Sequence, residues 1–279
     1  MKIAQQTNIL QNFQKIILNI MTPDEYEKLK LVKTAVVPSG FLNAHSIKDD
    51  NGNFLITINS RLLSAIYTWN ELQIHSKDYF NINFENPSES SISPKDFARF
   101  YAPLIDCYLT PNSGRTLPIF DFNQLPEEKA VICLYKTMLH EIFIIAHEYA
   151  HIYLNHHKNM TASKFQIDGD EFRIKTANMS QQQELDADSK AVEWIIKLSK
   201  TKDIPNPFSP YPLWYIEVLV MLHLIECNTS FPSEAATHPP AIIRLINIRL
   251  QYNQCFSDPN YTLDDMILNC FDIESFRMI

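Results

Sequence analysis

The sequence predicts a mainly α-helical protein with a small β-hairpin or sheet in its first third, which is an α+β fold. Apolar residues recur at helical spacing along most of the chain. Strand patterns occur at residues 33–40 and 53–60, and in the second of these Phe54, Ile56 and Ile58 alternate with other residues. The turn-forming run Asp49-Asp50-Asn51-Gly52 lies between the two stretches, so we expect them to form a hairpin.

The chain of 279 residues, 46% apolar and 20% charged, is long enough for a sizeable core. We expect a single domain over residues 1–279, with an N-terminal α/β part and a lid in residues 1–125 and a helical core in residues 126–279. A tract rich in Ser, Pro and Asn, residues 81–126, is the expected surface loop or lid. Residues 155–180 are expected to be a polar connection. Helices are predicted at residues 2–20, 24 onward, 61–80, 95–104, 127–157, 181–200, 213–226, 237–253 and from 262.

Charge and composition exclude several classes of protein. The formal net charge of -8 argues against binding to nucleic acid or to an anionic membrane. The four glycines form no phosphate-binding loop, and the five cysteines contain no C-x-x-C pair. The most membrane-like run, residues 213–225, contains Glu217 and His223 and is too short to span a bilayer. No secretory leader is expected, and the predicted location is the cytoplasm.

The stretch His147-Glu148-Tyr149-Ala150-His151 lies on a long apolar segment, from about Glu127 to His157, and fits the pattern H-E-x-x-H. Side chains four residues apart on a helix are neighbours, so His147 and His151 can bind one metal ion. Glu148 lies beside them and is the candidate general base for a water molecule at that metal. A helix that is apolar nearly all round is buried, and imidazoles inside it are costly unless they are paired or bound to a cation.

A second segment supplies the candidate third ligand. Glu184, in Glu184-Leu185-Asp186-Ala187-Asp188, would complete the three-protein-ligand plan of catalytic zinc. Asp188 lies one helical turn further on the same face and can accept the free N–H of a ligand histidine. Asp186 is expected on the solvated face. These residues predict a Zn²⁺ site in an endopeptidase that acts on a protein substrate.

These motifs resemble those of the gluzincin metallopeptidases, in which H-E-x-x-H is followed by E-x-x-A-D. Thr237-His238-Pro239-Pro240 with Arg244 is similar to the H-P-x(4)-R segment of the CAAX-prenyl and HtpX-like members. The chain also resembles the Lit-like family of bacterial phage-exclusion proteases, in Ile56-Thr57-Ile58-Asn59, in Glu184-Leu185-Asp186-Ala187-Asp188-Ser189 and in Thr237-His238-Pro239.

The Lit-like resemblance implies a gluzincin-like core and an intracellular zinc endopeptidase. It implies cleavage of elongation factor Tu after a phage capsid peptide binds to that factor. It also implies that His147, His151 and Glu184 hold zinc, that Glu148 is the general base, and that His238 and Arg244 stabilise the oxyanion. For His238 the residues alone leave an alternative open, because a histidine before two prolines at a helix entrance can simply cap or pack.

Four other histidines are predicted to have structural roles. His140 lies near the face of His147, but a fourth histidine ligand would close the open site. His156 and His157 fall where the helix ends, a place where histidine suits the helix dipole. His223 is expected to pack within its helix.

Two alternatives to a phage-exclusion protease remain open. One is a metallopeptidase that cleaves a repressor in a stress or toxin–antitoxin response, although such enzymes lack the His-Pro segment. The other is a metal-bound scaffold that binds a partner and cleaves nothing. Glu148 argues against the scaffold, because a structural metal site has no need of that carboxylate.

Overall fold

The structure is a computed structural model that describes residues 3–38, 42–49, 51–75, 127–158, 160–167, 170–177, 180–201, 213–229 and 239–252. The predicted lid at residues 81–126, the helix at residues 95–104 and the tail helix from residue 262 lie outside the described residues.

Helices dominate the described chain, and the predicted mainly α, α+β fold is confirmed. The predicted helices that fall on described residues are present, except that the single helix predicted at residues 213–226 is divided into two. The described helices are α1 (Ile3–Asn19), α2 (Pro23–Leu29), α3 (Ser60–His75), α4 (Glu127–Tyr153), α5 (Gln181–Ser199), α6 (Leu213–Ile216), α7 (Val218–Thr229) and α8 (Ala241–Tyr252). The five strands are β1 (Lys33–Val37), β2 (Ala44–Lys48), β3 (Phe54–Asn59), β4 (Met160–Ile167) and β5 (Asp170–Ala177).

The strands form one sheet in the order β1-β3-β2-β5-β4. The predicted hairpin between residues 33–40 and 53–60 is wrong, because β1 and β3 pair in parallel. The turn at Asp49 instead joins β3 to β2, which pairs antiparallel with it. Asp49 accepts hydrogen bonds from the backbone of Asn51 and Asn53, and Gly52 adopts a left-handed φ of 87°. The run Asp49-Asp50-Asn51-Gly52 correctly predicts the turn, but the sequence pattern does not predict the short strand β2 before it.

The prediction of a polar connection over residues 155–180 is also wrong, because this segment contains the hairpin of β4 and β5. Its register runs from Met160↔Ala177 to Ile167↔Asp170. The hairpin extends the N-terminal sheet through the pair Lys48↔Lys175. The two strands form by pairing with each other and, at one position, with β2, and local residue preference is a weak guide to such pairing.

Helix α4 lies at the centre of the fold and packs against α1, α3, α5, α6 and β2. Its segment Lys129–Tyr153 has the length and mean hydropathy, 1.4, of a membrane span, whereas residues 213–225 do not qualify. The core helix of a soluble protein passes the same test, and 61% of the apolar window is buried inside the fold. The buried residues form one hydrophobic cluster that includes side chains from α1 to α8.

The single helix predicted at residues 213–226 is divided at Glu217 into α6 and α7. Glu217 is buried and forms a 2.5 Å ion pair with Lys136 of α4, which is also buried. An ionised carboxylate in the core is costly unless it has such a partner. The interruption therefore lies where a charged side chain joins α6 and α7 to the central helix.

Candidate metal centre

Helix α4 places His147 and His151 side by side in the core. Because the two residues are one helical turn apart, their rings lie edge to face, with ring centroids 4.6 Å apart. The two Nε2 atoms are 3.0 Å apart. Both side chains are buried. The predicted pair of imidazoles is therefore directed at one point.

Helix α5 brings Glu184 to the same point. The helix begins at a capping box in which the Ser180 hydroxyl accepts from the backbone of Gln183 and the Gln183 side chain accepts from the backbone of Ser180. This cap sets the start of α5, so that Glu184 lies in its first turn, facing α4. Glu184 Oε2 is 3.3 Å from His147 Nε2, and Glu184 Oε1 is 3.4 Å from His151 Nε2.

The spacing of these three side chains suits a metal ion. Bond lengths of about 2.0–2.2 Å in a tetrahedral zinc site separate neighbouring ligand atoms by about 3.3–3.6 Å. The three distances observed, 3.0 to 3.4 Å, are close to that range. Within the described ranges, this is the group of His, Cys, Asp and Glu side chains whose ligand atoms converge closely enough to hold a metal ion.

Two carboxylates beside His147 favour a positive charge where the three side chains converge. His147 Nδ1 lies 2.9 Å from a carboxylate oxygen of Asp188. Because an ionised carboxylate only accepts hydrogen bonds, a proton on Nδ1 of His147 faces Asp188, and a second proton or a metal ion at Nε2 faces Glu184. Burial alone lowers the pKa of His147, but the hydrogen bonds of Asp188 and Glu184 and the Asp188 charge outweigh burial and raise this pKa to about 10. The carboxylates of Asp188 and Glu184 thus favour a positive charge at His147, whether a proton or a metal ion supplies it.

Asp188 is held in turn by Arg244 of α8. Arg244 Nε and Nη2 donate to the two Asp188 oxygens at 2.7 and 2.6 Å. Burial raises the pKa of Asp188, but the charge and hydrogen bonds of Arg244, together with His147, lower it to about 2. Asp188 therefore stays ionised at neutral pH. The predicted contact between Asp188 and a candidate ligand histidine is present in the structure.

The sequence profile of the Peptidase U49 family matches residues 97–263, which is more than half of the chain. The chain belongs to the Peptidase U49 family. Comparisons with curated proteins and with solved structures gave no match. The matched region contains both segments that meet at the candidate metal centre, so the three converging side chains lie within the part of the chain that matches the family. As a peptidase, it is a hydrolase that acts on protein substrates.

The remaining predicted site residues of this Peptidase U49 member have different placements. Glu148 is buried on α4 beside His147 and is not one of the three converging side chains. Its role as general base stays a prediction. His238 lies outside the described residues, although the adjacent Pro239 is buried before the start of α8. The described hydrogen bonds of Arg244 go to Asp188, and Asp188 in turn contacts His147. The role of Arg244 in stabilising the oxyanion stays a prediction.

The sequence pattern does not predict the contact between His151 and His156. His156 Nδ1 lies 2.9 Å from His151 Nδ1, whereas the Nε2 of His151 faces His147 and Glu184. Burial, followed by the charge of His151, lowers the pKa of His156 to about 4. The sequence signal available was Asn155, because asparagine just after a helix often adopts the left-handed conformation that turns the chain back. His140, His157 and His223, the other histidines predicted to have structural roles, are buried, and Asn70 Nδ2 lies 3.2 Å from His140 Nδ1.

Proposed function

We propose that this peptidase is a zinc-dependent endopeptidase whose metal ligands are His147, His151 and Glu184. The observation that supports the proposal most is the convergence of two imidazole nitrogens and a carboxylate at 3.0 to 3.4 Å. Two histidines and a glutamate are a known ligand set of catalytic zinc, which leaves a position for water. When bound, zinc polarises the scissile carbonyl and makes water nucleophilic near neutral pH.

The protein residues around the proposed metal have separate tasks. Glu148 accepts the proton of the attacking water and passes it to the leaving amine, the usual work of a general acid–base carboxylate. Asp188 holds the proton of His147 on Nδ1, so that Nε2 stays available as a ligand. Arg244 keeps Asp188 ionised and in place.

We also propose that His238 and Arg244 steady the negative charge that develops on the carbonyl oxygen of the substrate. The support for this assignment is the resemblance of the His-Pro segment to that of gluzincins. Because Arg244 uses its Nε–H and one Nη2–H for Asp188, a contact with substrate would come from its Nη1–H groups or from the second Nη2–H.

The Lit-like resemblance supports a more specific proposal for the substrate. We propose a phage-exclusion protease that works in the cytoplasm and cleaves a bacterial translation factor such as elongation factor Tu when a phage peptide is bound to it. The net charge of -8 and the burial of the apolar helix α4 fit a cytoplasmic location without nucleic acid or membrane as partner.

Incubation of the purified protein and zinc with bacterial lysates tests these proposals. Lysates from uninfected and phage-infected cells are compared for one cleaved band, and the Glu148→Gln variant is the matched control. A translation-factor fragment in the infected lysate, absent with Glu148→Gln, is the expected result. A repressor fragment would favour the stress-response alternative. Absence of any fragment, with zinc bound, would favour the non-catalytic scaffold.

A further inference from the structure

The contact between His151 and His156 links a candidate zinc ligand to a residue with no assigned role. The two Nδ1 atoms are 2.9 Å apart and the ring centroids are 5.1 Å apart. Both side chains are buried. Two neutral imidazoles can share one hydrogen between these atoms, so one ring must donate and the other must accept.

The chain after α4 is shaped so that His156 reaches this position. Asn155 adopts a left-handed φ of 60°, and its N–H donates to the carbonyl of Ile152 at 3.0 Å. This conformation is unusual for residues other than glycine, but asparagine tolerates it. The chain therefore turns sharply after the helix and directs His156 back toward its last turns.

Neighbouring elements hold this turn on both sides. His157 Nε2 donates to the backbone carbonyl of Ser46 on β2 at 3.0 Å, and its ring packs edge-on against Phe54 of β3. Gln183 of α5 lies within 3.5 Å of the carbonyl oxygen of His156. The sheet and α5 therefore fix the backbone on which the His156 ring is mounted.

We propose that His156 is a positioning residue that accepts the Nδ1–H of His151 and so keeps the Nε2 of His151 available for the metal. This inference rests on the proposed zinc centre. Metal-ligating histidines commonly donate their other ring N–H to such a partner, which fixes the tautomer and the ring orientation. His147 has the carboxylate of Asp188 in this role, and His151 has the neutral ring of His156. The two candidate imidazole ligands are thus held by partners of different charge.

Zinc affinity, measured by competition with a chromophoric chelator, tests the role of His156. His156→Leu removes the accepting nitrogen and is expected to weaken Zn²⁺ binding about 10- to 100-fold, the usual cost of losing such a partner. His156→Gln keeps an acceptor and is expected to restore most of the affinity. The matched control is His157→Leu, which makes the same change one residue away. It removes the contact with Ser46, which helps to fix the turn, but keeps the accepting nitrogen of His156, so it should lower thermal stability while weakening zinc binding less than His156→Leu does.

Two results would overturn the inference alone: unchanged affinity in His156→Leu, or an equal loss in His157→Leu, which would show that any loosening of the turn is sufficient. A wild-type protein that binds no zinc would overturn the zinc centre as well. A second measurement needs no variant. In the ¹⁵N-histidine NMR spectrum of the zinc-loaded protein, His151 should carry its proton on Nδ1 and His156 on Nε2. A proton on Nδ1 of His156 would contradict the proposal.

Discussion

Arg244 donates two hydrogen bonds to Asp188, one to each carboxylate oxygen, although the two residues lie on different helices. The pair is buried, and Asp188 Oδ1, which accepts from Arg244 Nη2, also lies 2.9 Å from His147 Nδ1. A single arrangement therefore connects α8, α5 and α4 and orients a candidate metal ligand. A guanidinium suits this task because its planar fork matches the two oxygens of a carboxylate.

Replacement of Arg244 measures how much the Arg244–Asp188 pair contributes to the free energy of unfolding. In Arg244→Met, Asp188 remains as a buried charge without its partner, and such a loss typically costs about 3–5 kcal/mol of unfolding free energy. Chemical denaturation of the metal-free protein measures this change. Arg249→Met on the exposed side of the same helix is the control and should change stability by no more than about 1 kcal/mol, the usual size of an exposed interaction. Equal losses of unfolding free energy in the two variants would show that the buried pair contributes no more to stability than an exposed arginine does.

Removal of the third proposed ligand should empty the metal site. Glu184→Ala deletes the carboxylate that lies 3.3 and 3.4 Å from the two imidazoles, so zinc content after dialysis should fall from about one ion per chain to a small fraction. Elemental analysis measures the metal. Asp186→Ala, an exposed residue two positions further along the same helix, should keep its zinc. Full zinc occupancy in Glu184→Ala would mean that another side chain is the third ligand.

Glu148→Gln separates metal binding from catalysis. The amide has the shape of the carboxylate but does not accept a proton, so cleavage should fall at least about 10²-fold while zinc content stays the same. Peptide cleavage and elemental analysis of the same sample provide both values. Glu127→Gln, at the exposed start of the same helix, is expected to retain wild-type activity. An active Glu148→Gln variant would remove Glu148 from the role of general base.

The stability of the protein should depend on pH through Glu25, far from the metal centre in sequence. Burial raises the pKa of Glu25, but the hydrogen bonds from Lys190 and from the backbone of Thr22 outweigh it and lower the pKa from 4.5 to about 2. A carboxyl group whose pKa is lower in the folded protein stabilises it above the unfolded pKa. This stabilisation, about 3 kcal/mol, is then lost as the pH falls from about 4.5 to 2.

Glu25→Gln tests this dependence. Unfolding free energies measured between pH 7 and pH 2 should show the variant less stable than the wild type at pH 7, with the difference shrinking toward pH 2. A difference that stays constant over this range would assign the loss to packing instead of to the charge on Glu25.

The sequence was sufficient for features that depend on local periodicity. The i, i+4 spacing of His147 and His151 on a long apolar helix determines that their rings face one point, whatever surrounds them. The same reasoning placed Asp188 one turn after Glu184 on a helix, and it predicted the bounds of α1, α4 and α5 to within a few residues.

Contacts between distant segments were decided by the tertiary structure. The parallel pairing of β1 with β3 depends on which strand edge is available in space, because backbone hydrogen bonds carry little information about the identity of the partner. The bidentate contact of Arg244 with Asp188 joins residues 56 positions apart. His156 contacts His151 because Asn155 reverses the chain. Local spacing on a helix determines which ligands face the same way, whereas packing of separate elements determines which side chains hold those ligands in place.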